Sequence, residues 1–373
     1  MTSLADLQRA PGAPPPATMP MLPMAVERVR TFDTPEFRGM TFLEVESKTA
    51  LNRVRGMPFP WSINPYRGCS HACSYCFARP THAYLNLSPL EDFERTVVVK
   101  TNVAEVLRRE LARPSWRGEH VALGTNTDPY QRCEGRYRLM PGIIHALGES
   151  RTPFSILTKG TLVTRDLDAL QTAARTVDVA AALTVGMLDE GVWRSAEPGT
   201  PSPAARLAAV RKLNDAGIPT GIMLAPIMPG LNDDEAQLGE LVDAAVAAGA
   251  VHITPIVLHL RPGVREVFWP WLEAEHPGLV ARYRELYDPS AKGGYAAAAY
   301  RERVHGIVRA RRAAAWRRHG RPAVPVGWRG ADGDERSPVT SEPAAPRSAR
   351  PGAADAADGP GPGRQPSLFD GLG

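Results

Sequence analysis

The chain of 373 residues is poor in lysine, cysteine and aromatic residues, and it contains no long apolar run. Only Lys48, Lys100, Lys159, Lys212 and Lys292 are lysines, so arginine supplies nearly all the positive charge, and the formal net charge is only +4. A balance that small does not by itself argue for a polyanionic partner. Arginine suits phosphate forks and base stacking, but Ala, Pro and Gly are abundant too, and all four are residues of GC-rich codons. Four cysteines cannot build a disulfide scaffold, and three of them lie too close together to staple distant loops, which points to a reducing, cytoplasmic compartment. No apolar stretch reaches the ~20 residues of a membrane span, and the first residues lack the basic start and apolar stretch of an export signal. The expectation is a soluble, unexported protein. A hydrophobic content of 43% supports a sizeable core in one large domain or two.

What is present is a dense cysteine motif. Cys69, Cys73 and Cys76 stand at CxxxCxxC spacing within NPYRGCSHACSYCFARPTH, residues 64–82, with Tyr75 directly before the last thiol. Three thiolates cannot complete the four-sulfur ligation of an ordinary [4Fe-4S] cluster, so a cluster here keeps one iron open to a ligand that is not protein. The rival reading is a zinc knot of the Cys3His type, with His71 or His82 as the fourth ligand. Zinc sites more often present two ligand pairs from separate turns, whereas these thiols fall within eight residues.

The spacing, with the words NPYRGC, YCFARPTH and TNTDPYQ, resembles the cluster loop of the radical S-adenosylmethionine (SAM) enzymes, in particular their spore photoproduct lyase-like branch. The resemblance implies a [4Fe-4S] cluster on Cys69, Cys73 and Cys76 and SAM chelated to the fourth iron. One electron then cleaves SAM to a 5′-deoxyadenosyl radical, and a donor such as flavodoxin or ferredoxin supplies it. It also implies an α/β fold, an incomplete (β/α)6 TIM-like barrel of the radical SAM type with C-terminal helices and disordered tails.

The pattern along the chain agrees with that outline. Residues 1–25 carry APGAPPPATMPMLP without helical or strand period and read as a disordered tail, and 26–61 read as a lead-in segment. From 62 to 265, short apolar runs alternate with amphipathic segments, as in a parallel α/β sheet. The strands read as 61–66, 120–124, 154–158, 177–185, 220–226 and 252–258, with helices such as 102–111 and 203–216 between them. A helical extension follows over 266–320, in stretches 267–287 and 295–319, and 321–373 form a second disordered tail.

In a parallel barrel the active site lies at the carboxyl ends of the strands, and the resemblance assigns cofactor contacts there. Tyr75 is placed against the adenine of SAM. Gly124, Thr125, Asn126, Thr127 and Asp128 end the second strand, where a protonated amine needs acceptors, although Asp128 before Pro129 also reads as a plain turn. Thr158 and Lys159 end the third strand, Lys159 offering a cation to the SAM carboxylate or an anionic substrate. Thr184 takes a position used for ribose hydroxyls, Glu197 and Arg206 match family positions, and Pro226, Asn232 and Asp233 shape the pocket. Thr125 stands where the lyase-like branch carries a hydrogen-donating cysteine, so Cys133 in YQRCEGRY is the remaining thiol candidate for that catalytic role.

Two features point toward DNA. Gln365, Leu368 and Phe369 have the QxxLF spacing of peptides that dock on the bacterial sliding clamp. The 295–319 helix bears Arg301, Arg303, Arg309, Arg311, Arg312, Arg317 and Arg318 against Glu302, a stripe suited to phosphates or to solvent. The reading that results is a radical SAM enzyme acting on nucleic acid, in DNA repair. Modification of protein or RNA, or a non-catalytic iron-sulfur DNA-binding module, are the alternatives.

Overall fold

The computed structural model describes residues 25–287 and 294–320. The expected tails lie outside these residues, residue 25 apart, and so do Gln365, Leu368 and Phe369 of the clamp-type peptide. Among the described residues no helix is long and apolar enough to cross a membrane.

Among the described residues eleven strands form two sheets: β1 (Val26–Arg30), β2 (Thr41–Val45), β3 (Leu51–Arg53), β4 (Trp61–Ile63), β5 (Tyr66–Arg67), β6 (Thr96–Lys100), β7 (Val121–Leu123), β8 (Phe154–Thr158), β9 (Val179–Thr184), β10 (Thr220–Ile227) and β11 (Ile253–Val257). The larger sheet runs β11-β10-β9-β8-β7-β4-β3. Its six strands from β4 to β11 pair parallel to their neighbours, through pairs such as Trp61 with Val121 and Phe154 with Val179. Short β3 adds antiparallel to β4. Six parallel strands with helical crossovers are the incomplete (β/α)6 barrel expected. Their runs, such as VAAALT in β9 and TGIMLAPI in β10, are apolar on both faces because helices cover one side and the barrel interior fills the other.

A second sheet of four strands, order β1-β2-β6-β5, was not foreseen. It takes β1 and β2 from the lead-in and β5 and β6 from within the barrel segment. β6, TVVVK, is buried along its whole length. Phe37, Phe42, Tyr66, Val97, Val99 and Cys133 fill one side of this sheet, and Leu43, Val45, Leu85, Leu87 and Val98 the other.

The C-terminal stretches also differ in detail. The expected helix over 267–287 is two, Arg265–Glu275 and Val280–Leu286. Pro277 separates them, because it disfavours helical backbone at His276, which sits at φ −140°, ψ 56°. The last helix begins at Ala298, since Tyr295 forms an antiparallel bridge with His259 instead. That helix lies on Glu235–Ala247, joined by Arg311 to Glu235 at 2.9 Å and Arg318 to Asp243 at 2.7 Å. Arg303 reaches Asp233 at 3.4 Å and Arg312 donates to the Ile253 carbonyl at 2.8 Å. Four of the seven arginines in the stripe, Arg303, Arg311, Arg312 and Arg318, therefore help hold the helix to the barrel.

Candidate active site

The cysteine loop leaves β5 at Gly68, whose φ is +83° and where a Cβ would stand 2.8 Å from the Thr96 carbonyl. Only glycine permits both the conformation and the approach. Thr127 Oγ1 and Gln131 Nε2 donate to the Gly68 carbonyl at 2.7 and 3.0 Å, and the Ser70 N–H donates to Gln131 Oε1 at 2.9 Å. On the far side, the Gly199 N–H donates to the His71 carbonyl and the Ser74 N–H to the Ala196 carbonyl. Fully buried Arg79 closes the loop from below. It donates to the Cys73 carbonyl at 3.2 Å and the Leu90 carbonyl at 2.9 Å, and pairs with Glu94 at 2.5 Å. The loop is thus clamped between the end of β7 and the segment that follows β9.

Cys69 and Cys73 are buried and Cys76 is half-buried. Burial pushes the Cys69 and Cys73 thiols far up, and the neighbouring Cys76 raises each of them further. Thiols raised in this way stay protonated until a cation draws off their protons, and together with Cys76 they make the donor set an iron cluster requires. The zinc alternative finds less support. His71 Nδ1 faces Asp128 at 3.4 Å, and His82 Nε2 lies 3.0 Å from the Thr96 carbonyl. Among the described residues no three His, Cys, Asp or Glu side chains converge on a single-ion site.

Beside the loop runs a buried polar chain. The Tyr75 phenol donates to Glu197, and the other oxygen of that carboxylate receives Arg206 Nη2 at 2.6 Å and Thr200 Oγ1 at 3.1 Å. Arg206 Nη1 donates to the Thr184 carbonyl at 2.8 Å, so the end of β9 is tied to the aromatic residue of the cysteine motif. Burial disfavours the charge on Glu197, yet Arg206 and Lys159 outweigh it and hold the carboxyl below its usual range. Burial, with Glu197 beside it, pushes the Tyr75 phenol well up, so it remains a donor. Lys159 Nζ stands 5.6 Å from the Tyr75 ring centroid. Glu197 and Arg206 form a buried ion pair, and that pair orients Tyr75.

The turn after β7 is more committed to structure than its sequence suggests. Gly124 has φ +90°, and a Cβ there would lie 1.9 Å from the Leu157 carbonyl oxygen. Asn64 Nδ2 donates to Thr125 Oγ1 at 3.1 Å, and the Asn126 N–H donates to Asn64 Oδ1 at 2.9 Å. Asp128 accepts from the Tyr130 N–H at 2.8 Å, Thr158 Oγ1 at 2.5 Å and the Lys159 N–H at 2.7 Å, besides facing His71. Burial opposes the Asp128 charge, but His71 and these donors hold its carboxyl below the ordinary value. Asp128 therefore ties β7, β8 and the cysteine loop together. Asn126 Oδ1 differs, since it is buried and has no hydrogen-bond partner among the described residues.

Cys133 is fully buried under the second sheet among Phe37, Phe42 and Tyr66, in a cluster separate from the one containing Cys73 and Tyr75. That cluster contains none of the three motif cysteines, so its expected role as hydrogen donor finds no geometric support. Asn232 Nδ2 donates to the Gly186 and Pro226 carbonyls at 2.7 and 2.9 Å, and Asp233 accepts from Tyr300 Oη and Arg282 at 2.8 Å. These residues fix the loop after β10 and dock the C-terminal helices on it. Sequence reading overlooked Asn64, Arg79 and Gln131. All three lie inside or beside the quoted words, but nothing local shows that their side chains reach back to backbone.

A partial barrel with two buried thiols and a half-buried third on a clamped loop at the carboxyl ends of its strands defines a class, the α/β proteins of the incomplete TIM-barrel type that carry a cysteine-motif loop. The family model described as "Radical SAM superfamily" matches residues 63–242. An uncharacterized protein of Mycobacterium tuberculosis is 53% identical over 283 residues, 75% of this chain and 82% of the relative. One of Methanocaldococcus jannaschii is 27% identical over 198 residues, 53% of this chain and 72% of the relative. Among solved structures, spore photoproduct lyase complexed with dinucleoside spore photoproduct is similar at TM-score 0.56 and 18% identity, covering 72% of this chain and 78% of that one. A variant of the same lyase with bound AdoMet and dinucleoside spore photoproduct gives 0.55 and 16%, with the same coverage. The chain belongs to the radical SAM superfamily, a family of enzymes.

Proposed function

We propose that Cys69, Cys73 and Cys76 hold three irons of a [4Fe-4S] cluster with SAM on the fourth, and that the enzyme acts on nucleic acid, a DNA lesion being its substrate. The observation that carries the cofactor assignment is the set of three cysteines on one clamped loop, with Cys69 and Cys73 buried and each close enough to feel Cys76, beside Tyr75, Lys159 and the acceptor Asn126 Oδ1. When bound, the cluster and SAM supply a 5′-deoxyadenosyl radical. The residues of the chain bind and orient. Tyr75, locked by Glu197, and Lys159 present a ring face and a cation; Asn126 Oδ1 accepts from an ammonium group; the ends of β8 and β9 bring Thr158 and Thr184 alongside. Thr125, Thr127 and Asp128 act through their hold on the loop. Burial of Cys69 and Cys73 excludes water from the thiolates.

DNA as substrate draws on the resemblance to the lyase-like branch and on the dinucleoside lesion named for the solved neighbours. A flavodoxin or ferredoxin as electron donor, a cytoplasmic location and clamp docking through Gln365, Leu368 and Phe369 belong to the same reading, with 62–265 as core and 266–320 as its helical cover. Anaerobic reconstitution followed by dithionite and SAM tests the chemistry. 5′-Deoxyadenosine should form, and variants of each motif cysteine should not form it. An intact cluster without this product refutes the catalytic reading. Deuterium transfer into 5′-deoxyadenosine from labelled DNA, but not from labelled RNA or protein, tests the substrate. Deletion of residues 364–373 should abolish co-elution with the clamp; unchanged co-elution rejects the peptide.

A further inference from the structure

The loop after β11 reaches back onto the cysteine loop and fixes one cation at its end. Phe77 follows Cys76 directly. Arg261 donates Nη2 to the Phe77 carbonyl at 2.7 Å and lays its guanidinium carbon 3.8 Å from the Phe77 ring centroid. Backbone bonds hold the arginine in place. The Leu260 N–H donates to the Gly294 carbonyl at 2.8 Å, and the Arg261 carbonyl accepts from the N–H groups of Val264 at 3.0 Å and Arg265 at 3.2 Å. Gly263 completes the contact, since a Cβ there would sit 2.7 Å from Pro80. Two observations set this arginine apart. The buried or half-buried Arg79, Arg165 and Arg206 each meet a carboxylate at 2.5 to 2.7 Å, whereas the electrostatic neighbours of Arg261 are Cys76, Tyr84 and Tyr295, with no carboxylate among them. Its Nε is buried and has no hydrogen-bond partner among the described residues. Burial works against the Arg261 charge, and Cys76 is the first of the groups that favour it. A cation drawn out of water needs an anion within reach.

We propose that Arg261 sets the reduction potential of the cluster, its fixed positive charge beside Cys76 favouring the reduced state. The proposal rests on the cofactor reading above and names a residue that tunes that same site. In the step concerned no bond forms or breaks. One electron passes from a reduced flavodoxin or ferredoxin, which is oxidised, to the cluster, and the loaded loop gains one negative charge. A cation next to a ligating thiolate stabilises the more negative state and so raises the potential. Net charge, hydrogen bonds to sulfur and solvent exposure are the levers a protein has for this purpose. Lys159 also acts on Cys73, but Glu197 shares that field with the opposite sign. Arg261 has no such offset, which makes it the positioning charge for the half-buried side of the loop.

The test is a redox titration of the full chain, reconstituted anaerobically and followed by electron paramagnetic resonance, first without SAM and then with it. Arg261→Gln and Arg261→Met both remove the charge, and methionine keeps an apolar stem over Phe77. At a fixed potential each should hold about 10-fold less reduced cluster relative to oxidised, a shift of about 59 mV to more negative values for a one-electron couple. Loss of one charge from a partly buried site acts at that order. Arg261→Lys, which keeps the charge, should stay closer to wild type than either neutral variant, and Arg317→Gln, on an exposed part of the last helix, should leave the potential unmoved. Circular dichroism and iron per chain verify folding and loading. The sign separates charge from packing, because a loosened loop admits water, which stabilises the more charged reduced state and raises the potential. A potential that is unchanged or raised in the neutral variants overturns the proposal, as does an Arg261→Lys shift as large as theirs. A shift that appears only with SAM assigns Arg261 to SAM and overturns it as well, leaving the cofactor reading standing. A wild type that takes up no reducible cluster brings down the cofactor reading itself, and the proposal with it.

Discussion

Replacing Arg206 with methionine removes one partner of an ion pair whose side chains are 1% and 0% exposed. Glu197 keeps the Tyr75 and Thr200 hydroxyls as donors, but its main opposing charge is gone. Breaking a buried pair on one side costs about 3–5 kcal/mol, and at roughly 2–4 °C per kcal/mol for chains somewhat shorter than this one the melting temperature should fall by roughly 6–20 °C. The pH dependence is diagnostic. In the wild type Glu197 is held below its usual range, so its contribution is complete above the unfolded value, 4.5, and is lost only as pH falls through the lower folded value. In Arg206→Met, desolvation dominates and the folded value rises above the unfolded one, so the variant loses stability as pH climbs from 4.5 and levels off above its folded value. Melting curves followed by circular dichroism from pH 5 to pH 8 should therefore show a deficit that widens with pH. A deficit that is absent, or constant across that range, would refute the argument that Arg206 exists to keep Glu197 ionised. Glu197→Gln combined with Arg206→Met should regain part of the loss, because no unpaired charge then remains.

Gly124→Ala combines φ +90° with a Cβ placed 1.9 Å from the Leu157 carbonyl, and should cost about 3 kcal/mol or more, read as lost soluble yield or a lowered melting temperature. Thr127→Val removes the hydroxyl that holds Gly68 and should cost about 1–2 kcal/mol locally; iron per chain after anaerobic dilution should drop, and unchanged retention would deny Thr127 its part in clamping the loop. Cys133→Ala separates packing from chemistry. With its thiol buried beneath the second sheet, SAM cleavage and turnover should persist, whereas loss of turnover with the cluster intact would return Cys133 to the reaction.

Legibility followed sequence separation. The runs that became β8, β9, β10 and β11 lie between clear turn signals, and their parallel order follows from alternation with helices. β6 escaped notice although TVVVK is strongly strand-forming, because its partners, β2 and β5, come from segments on either side of the barrel entry. Pro277 was visible in the sequence, and its effect on His276 follows from sterics alone; the expected long helix ignored it. The arginine stripe was legible as composition, but its partners were not, since Glu235 and Asp243, which pair with Arg311 and Arg318, lie 75 or more residues earlier in the chain.

The local sequence determined the chemical identity of the site. CxxxCxxC spacing confines three thiols to one loop, and no tertiary arrangement can change their count or their order. The tertiary structure decided what each neighbour does. Tyr75 meets Glu197 across 122 residues, Asp128 joins two strand ends to the loop, and Cys133 turns away into another core. Hydrogen-bond and ion-pair partners are selected by packing between distant segments, where a buried polar group must be satisfied by whatever the fold brings within reach. No local spacing encodes that choice.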